Sequence, residues 1–261
     1  MIYILFFIVC FGASIIGALC GIGGGVIIKP VLDATGVLPV AAVGFLSCCT
    51  VLAMTCYSVV RAKVSKSTAV EGRTATPLAL GAAIGGLLGK SMFSWVAGLF
   101  ENQDTVGAVQ AAVLAVLTAG TLIYTVKKNS FHTKRLENLL VCLAVGLILG
   151  ILSSFLGIGG GPFNLVVFYY FFSMDTKVAA QNSLYVVLFS QAANLLMTLC
   201  TGGVPAVSPL LVLGMVAAGI CGGMAGRVIN KRISTKAVER LFEALMVAII
   251  LINIYNIVKY L

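Results

Sequence analysis

The chain alternates long apolar runs with short polar or glycine-rich breaks. Apolar segments span roughly 2–20, 40–60, 75–98, 106–126, 138–156, 178–199, 208–228 and 238–258. Each is close to the ~20 residues that a helix needs to cross the hydrocarbon core of a bilayer. Two shorter apolar segments lie at 25–37 and 162–173, and each follows a copy of the pentapeptide Gly-Ile-Gly-Gly-Gly, at Gly21–Gly25 and Gly157–Gly161. The second short segment would form ~18 Å of helix at a rise of 1.5 Å per residue, too short to cross a core of about 30 Å squarely. The pattern predicts an all-α polytopic membrane protein with eight long transmembrane helices and two short half-helices after the glycine breaks.

Composition agrees. Of 261 residues, 60% are hydrophobic and 10% charged, against about 25% charged in a typical soluble domain. The formal net charge is +9, but thirteen of the seventeen Lys and Arg fall within Arg61–Arg73, Lys127–Arg135 and Arg227–Arg240. Basic stretches between apolar spans mark cytoplasmic loops under the positive-inside rule, so the charge points to topology and not to nucleic acid. The loop with Glu101 and Asp104 and the loop Thr201–Ser208 carry no Lys or Arg, and both are assigned outside. A multi-pass plasma-membrane protein with both termini outside follows. The first span lacks a basic leader and its glycine motif recurs internally, so it is read as part of the fold and not as a signal peptide. The eight cysteines form no CxxC and read as small buried apolar residues. His132 is the sole histidine and sits in a basic stretch, which excludes a multi-histidine metal site. No cofactor is expected.

The two pentapeptides open 136 residues apart, and at that offset Ser47 matches Ser183, Val51 matches Val187, Thr55 falls opposite Gln191 and Ser58 opposite Asn194. With the basic stretches inside, segment 40–60 ends inside while 178–199 ends outside. The halves therefore run in opposite senses, as an inverted-topology repeat: a first membrane repeat at 1–126, a connecting loop at 127–137 and a second repeat at 138–261, within one membrane domain.

A glycine break at membrane depth is tolerated where protein or a polar cavity covers the freed backbone. Paired breaks in two halves point to a transporter's binding site. A helix beginning after such a break presents unpaired N–H groups and a positive dipole end, which attract an anion without a cationic side chain. Gly23, Gly24, Gly25, Gly159, Gly160 and Gly161 are the candidate backbone donors; close helix packing through small residues is the competing use. Ser183, Gln191 and Asn194 lie at i, i+8 and i+11 on one helical arc, repeated by Ser47, Thr55 and Ser58. Hydroxyls and amides can donate to an oxyanion without burying a charge. Asn182 and Asn164 add donors beside the second motif. Lys29, one turn past the first motif, either neutralises an anion or snorkels to a headgroup; Lys90 and Arg227 are expected to snorkel. Asp33 and Asp175 flank the short segments and are expected in loops, with a coupling proton as the other use. The partners implied are a small anion and the lipid bilayer; a coupling proton or cation and a homo-oligomer stay open.

These residues resemble the TauE/SafE sulfite exporter family over essentially the whole chain. The likeness rests on the two GxGGG motifs, on Ser47 and Ser183 about 22 residues after each motif ends, on the Gly-rich span Gly214–Gly226 and on the basic stretch that follows it. The resemblance implies a permease for sulfite or organosulfonates such as sulfoacetate, with two inverted halves and the substrate near the middle. Alternating access by a secondary transporter is the mechanism it suggests. A passive anion channel is the alternative. An intramembrane enzyme fits less well, because the chain offers no nucleophile–base pair or metal ligands at depth. No Walker motif is present, so nucleotide hydrolysis is not expected.

Overall fold

The computed structural model describes residues 2–64, 70, 72–100, 103–128, 133–136 and 138–260. Glu101, His132 and the middle of the first basic stretch lie outside the described residues, as do 129–132 and 137 of the connecting loop. Among the described residues the chain forms ten helices and no strand. They are α1 (Ile2–Cys20), α2 (Gly25–Thr35), α3 (Val40–Val64), α4 (Gly72–Leu99), α5 (Gln103–Val126), α6 (Leu139–Phe155), α7 (Pro162–Phe172), α8 (Thr176–Cys200), α9 (Pro209–Arg232) and α10 (Thr235–Tyr260). Seven are long and apolar enough to cross a membrane. The segment expected as the fifth long span is α6, with 17 residues. α2 and α7 have 11 residues each, about half a bilayer core in length.

The helices pair across the two halves. α1 packs along α9 while α6 packs along α4; α3 meets α9 as α8 meets α4; α2 rests on α10 as α7 rests on α5. Exchanging α1–α5 for α6–α10 leaves this pattern unchanged. Two equivalent pairs also touch each other directly, and both run antiparallel. On α3 and α8, Cys48 reaches the carbonyl of Gln191 while Met54 packs with Leu184. On α5 and α10, Gly107 lies against Tyr260 at one end and Lys128 pairs with Glu239 at 2.5 Å at the other. Equivalent helices that cross head to tail are the structural signature of inverted repeats.

Glycine ladders make the long contacts. A Cβ on Gly81, Gly85 or Gly89 of α4 would fall 2.2, 2.1 or 2.5 Å from the carbonyl oxygens of Leu143, Leu147 and Ile151 on α6. Gly146 and Gly150 return the contact, at 2.1 and 2.3 Å from the carbonyls of Leu78 and Ala82. α9 uses Gly222 and Gly226 against Phe11 and Ile15 of α1 in the same way. Lipid tails are as apolar as leucine, so helix association in a bilayer depends on this close backbone packing. Gly146→Leu is expected to destabilise the purified protein by about 1–3 kcal/mol through overpacking, read as a lower Tm. Gly120→Leu, on an open face of α5 with nothing within 4 Å of its Cβ position, is the control that leaves Tm unchanged.

Candidate functional site

Each pentapeptide performs the same local sequence of turns. Gly21 and Gly157 close the preceding helix with positive φ of 73° and 65°. The next residue then bonds back five positions, Ile22 N–H to Gly17 O at 3.1 Å and Ile158 N–H to Ser153 O at 3.2 Å. This is the Schellman end of a helix, with the apolar residue after the glycine packing inward; both isoleucines are fully buried. The third and fourth positions again take positive φ, 81° and 73° at Gly23 and Gly24, 68° and 132° at Gly159 and Gly160. Only glycine adopts such a run cheaply. The chain then enters α2 at Gly25 and α7 at Pro162, where proline suits the first turn.

The two breaks meet backbone to backbone. A Cβ on Gly25 would sit 1.9 Å from Ile158 O, one on Gly23 3.1 Å from Gly159 O, and one on Gly160 3.2 Å from Ile22 O. Val51 and Val187, themselves equivalent, close around the crossing against Gly23 and Gly159. Among the described residues, the N–H groups of Gly23, Gly24, Gly25 and Val26 find no hydrogen-bond acceptor, nor do those of Gly159, Gly160, Gly161 and Phe163. Two helix starts thus bring eight unpaired donors to the centre of the molecule.

Two uncharged side chains lie against these starts. Ser47 Oγ is 2.8 Å from the Cβ position of Gly25, and Gln191 Cδ and Oε1 are 3.1 and 3.2 Å from that of Gly159. Both residues are 0% exposed. Ser47 Oγ and both polar atoms of Gln191 are buried without a hydrogen-bond partner. A buried polar group left unsatisfied costs about 1–3 kcal/mol, so three such atoms beside unpaired amides call for a ligand or another explanation.

On either side of the crossing lies a cavity, and the two are equivalents. The larger, about 110 Å³, is lined by Ala18, Ser58, Ala62, Ala180, Leu184 and Arg227 among others. The smaller, about 20 Å³, is lined at the matching positions by Ser154, Asn194, Thr198, Gly44, Cys48 and Lys90. The larger adds Lys63, Lys177 and Lys231 from the ends of α3, α8 and α9 that carry or border the basic stretches. The smaller adds Lys29 and Gln110. Neither wall contains Gly23–Gly25 or Gly159–Gly161, although Gly157, which opens the second motif, lines the smaller one.

The predicted residues divide accordingly. Gly23, Gly25, Gly159, Gly160, Ser47 and Gln191 gather at the crossing, whereas Gly24 packs on Ala13 and Ser14 of α1 and Gly161 lies against the ring of Phe163. Lys29 and Asn194 line the smaller cavity. Ser183 Oγ accepts from Asn164 Nδ2 at 3.3 Å, and Asn182 Nδ2 donates to the backbone of its own helix at Val178 O, 2.9 Å. Thr55 and Ser58 likewise donate to carbonyls one turn back, at 2.8 and 2.9 Å. Arg227 donates to Ser58 O at 3.0 Å and lines the larger cavity; its equivalent Lys90 lines the smaller one. Neither simply reaches for headgroups as a snorkelling side chain would. Asp33 is not in a loop either: it is buried on α2 and paired with Lys29 at 2.6 Å. The sequence reading passed over Lys177 and Gln110. Gln110 carried a signal, as a lone amide inside an apolar span.

Inverted halves, broken helices that meet at the centre and a cavity on each side define a polytopic transporter. Comparison with known proteins agrees. The chain matches the model of the family described as sulfite exporter TauE/SafE over residues 6–252, and it belongs to that family of membrane transporters. It is 23% identical over 262 aligned positions, covering 91% of this chain and 92% of the relative, to the probable membrane transporter protein YunE of Bacillus subtilis (strain 168). No solved structure matches it.

Two substitutions separate packing from polarity at the crossing. Gly25→Ala should lower Tm, because Ile158 O occupies the added methyl's position. Ser47→Ala should leave Tm unchanged or raise it, because it removes an unsatisfied buried hydroxyl; thermal unfolding of both variants checks the contrast.

Proposed function

We propose that the protein is a secondary transporter of small sulfur-containing anions, sulfite or organosulfonates such as sulfoacetate, working by alternating access at the plasma membrane. The observation that carries this is the set of unpartnered Ser47 and Gln191 atoms lying against unpartnered glycine amides at two opposed helix starts. Amide and hydroxyl donors suit an oxyanion with several acceptor oxygens, and they hold it without a competing fixed counter-charge. Gly23–Gly25 and Gly159–Gly161 supply the backbone donors in this reading. Ser47 and Gln191 bond the ion beside them, Asn182 and Ser183 back the second motif, and Lys29 and Asn194 meet the ion on the side of the smaller cavity. The family's description as a sulfite exporter supports the substrate class, and the geometry supports its charge.

Alternating access is supported by the two equivalent cavities of unequal size. The larger opens among the residues of the basic stretches, which the positive-inside rule assigns to the cytoplasm. In the opposite state the two halves exchange conformations, so the cavity at Lys90 and Asn194 opens and the one at Arg227 and Ser58 shuts. Equivalent cavities of unequal volume favour a carrier over a passive channel. Both termini lie outside in this orientation. Each chain carries both motifs, so one copy suffices for a site.

A thermal-shift screen of the purified protein against sulfite, sulfate, thiosulfate, taurine, isethionate and sulfoacetate tests the ligand class, since a ligand stabilises the state that binds it. Sulfite or sulfoacetate should raise Tm, and no response to any anion overturns the reading. Ser47→Ala should weaken that binding by about 1.5–3 kcal/mol, as for a hydrogen bond to a charged group; an unchanged dissociation constant removes Ser47 from the site. In a cysteine-depleted background, a cysteine replacing Gly203 should react with an impermeant maleimide applied outside, and one replacing Ser234 only after permeabilisation.

A further inference from the structure

One charged group remains without a role in this scheme. Asp33 sits one helical turn from Lys29 on α2, with Lys29 Nζ 2.6 Å from its Oδ2. The two residues are 4% and 5% exposed. The second half has no counterpart: the matching positions on α7 are Leu165 and Tyr169. The shared architecture therefore does not require the pair. A buried ion pair gives back little stability over an apolar one, and an ionisable residue at membrane depth is a functional group by default.

The surroundings lack a proton. Asp33 Oδ1, Gln110 Oε1 and Asn256 Oδ1 are all buried oxygens with no donor. Lys29, Asp33, Gln110 and Asn253 share a cavity of about 10 Å³, and Asn256 Nδ2 donates to Pro30 O at 2.9 Å beside it. A proton on Asp33 supplies a donor to this acceptor-rich cluster. Lys29 also lines the separate cavity that holds Asn194, and its Cε lies 3.2 Å from the Cβ position of Gly157. One ammonium thus stands between a carboxylate and the approach to the second glycine motif.

The other charges near Asp33 are few. Lys259 of α10 donates to Asp33 O at 3.4 Å and Ala34 O at 2.9 Å, so its ammonium is engaged with the end of α2. Tyr260, also on α10, lies within the field of both Asp33 and Asp104 of α5. α1 carries no Asp, Glu, Lys, Arg or His, and α3 carries only Arg61 and Lys63, at its far end. The thiols facing this region are Cys10, packed in one cluster with Ile28 and Leu32, and Cys48, in the cavity wall with Lys29.

We propose that Asp33 is the coupling-proton site of the transporter, loaded together with the anion through Lys29. This rests on the transport reading above. An entering anion draws the Lys29 ammonium away from Asp33 Oδ2. The carboxylate, left buried without its counter-charge, takes one proton from the water on the same side and becomes the neutral acid; the lysine stays protonated and pairs with the anion. On release the anion departs, the proton leaves Asp33, and the ammonium returns to the carboxylate. One proton crosses with each anion.

Proteoliposomes loaded with a pH-sensitive dye test this, with labelled sulfoacetate as the probe because it stays ionised near neutrality and does not carry protons through lipid by itself. With the membrane potential clamped at zero by valinomycin and equal potassium, one pH unit should drive about tenfold accumulation, with one proton moved per sulfoacetate. In Asp33→Asn, sulfoacetate exchange between equal pools should persist while pH-driven accumulation disappears. Lys29→Ala in the Asp33→Asn background, which removes both charges, should cut sulfoacetate binding at least tenfold relative to Asp33→Asn alone. Wild-type flux without proton movement, or pH-driven accumulation by Asp33→Asn, overturns the assignment and leaves the transport reading standing. Absence of any sulfoacetate binding or flux in the wild type overturns that reading itself. If Asp33→Asn does not fold, the wild-type proton-to-anion ratio decides alone.

Discussion

Peptide groups freed at membrane depth must be covered, and in this protein two broken helices cover each other. The glycine run of one half lies on the glycine run of the other, at a distance no side chain would permit where Gly25 meets Ile158 O and tightly where Gly23 meets Gly159 O. Water cannot satisfy a backbone in the hydrocarbon core, so the breaks could exist only where protein closed over them. The rest of the architecture serves that closure. Valines 51 and 187 wall it laterally, α4 and α6 clamp one flank, and α9 and α1 clamp the other. The carbonyls are used in packing while the amides stay unpaired, and this makes the centre a donor-rich place without a fixed charge.

The inverted arrangement gives the two faces related walls of unequal chemistry. Arg227 stands where Lys90 stands on the opposite side, Ser58 where Asn194 stands, Ala18 where Ser154 stands. Near-equality of backbone shape makes the two halves alike; inequality of side chains makes the two faces differ. The larger cavity carries Lys63, Lys177 and Lys231 in addition, which gives its wall the more positive charge.

Much of this was legible in the chain itself. All ten helices fall where apolar runs and glycine breaks placed them, because a membrane forces hydrophobicity and length to agree. The offset between motifs identified Ser47 and Gln191 as neighbours of the breaks, since the helical period fixes which residues share a face. What the sequence could not convey was partnership across the fold. Thr55 and Ser58 have the right spacing yet spend their hydroxyls on carbonyls one turn back, an outcome decided by local rotamers. Asp33 looked like a loop residue because a charge after a short apolar run usually is one; its pairing with Lys29 extends α2 past it. The glycine ladder of α4 was hidden for a different reason: nothing in the sequence shows that Gly81, Gly85 and Gly89 face the backbone of α6.

The pairing of α1 with α9 also bears on biosynthesis. The chain's first helix reaches its main partner only when the ninth has been made. Until then its face carrying Phe11, Ser14, Ile15 and Ala18, which will receive Gly222 and Gly226, stands open in the bilayer beside the insertion machinery. A ribosome that stalls in the second half leaves that face, and the first glycine break, uncovered. Such a fragment exposes raw backbone to lipid, the very feature by which quality-control proteases could distinguish an unfinished chain from a finished one.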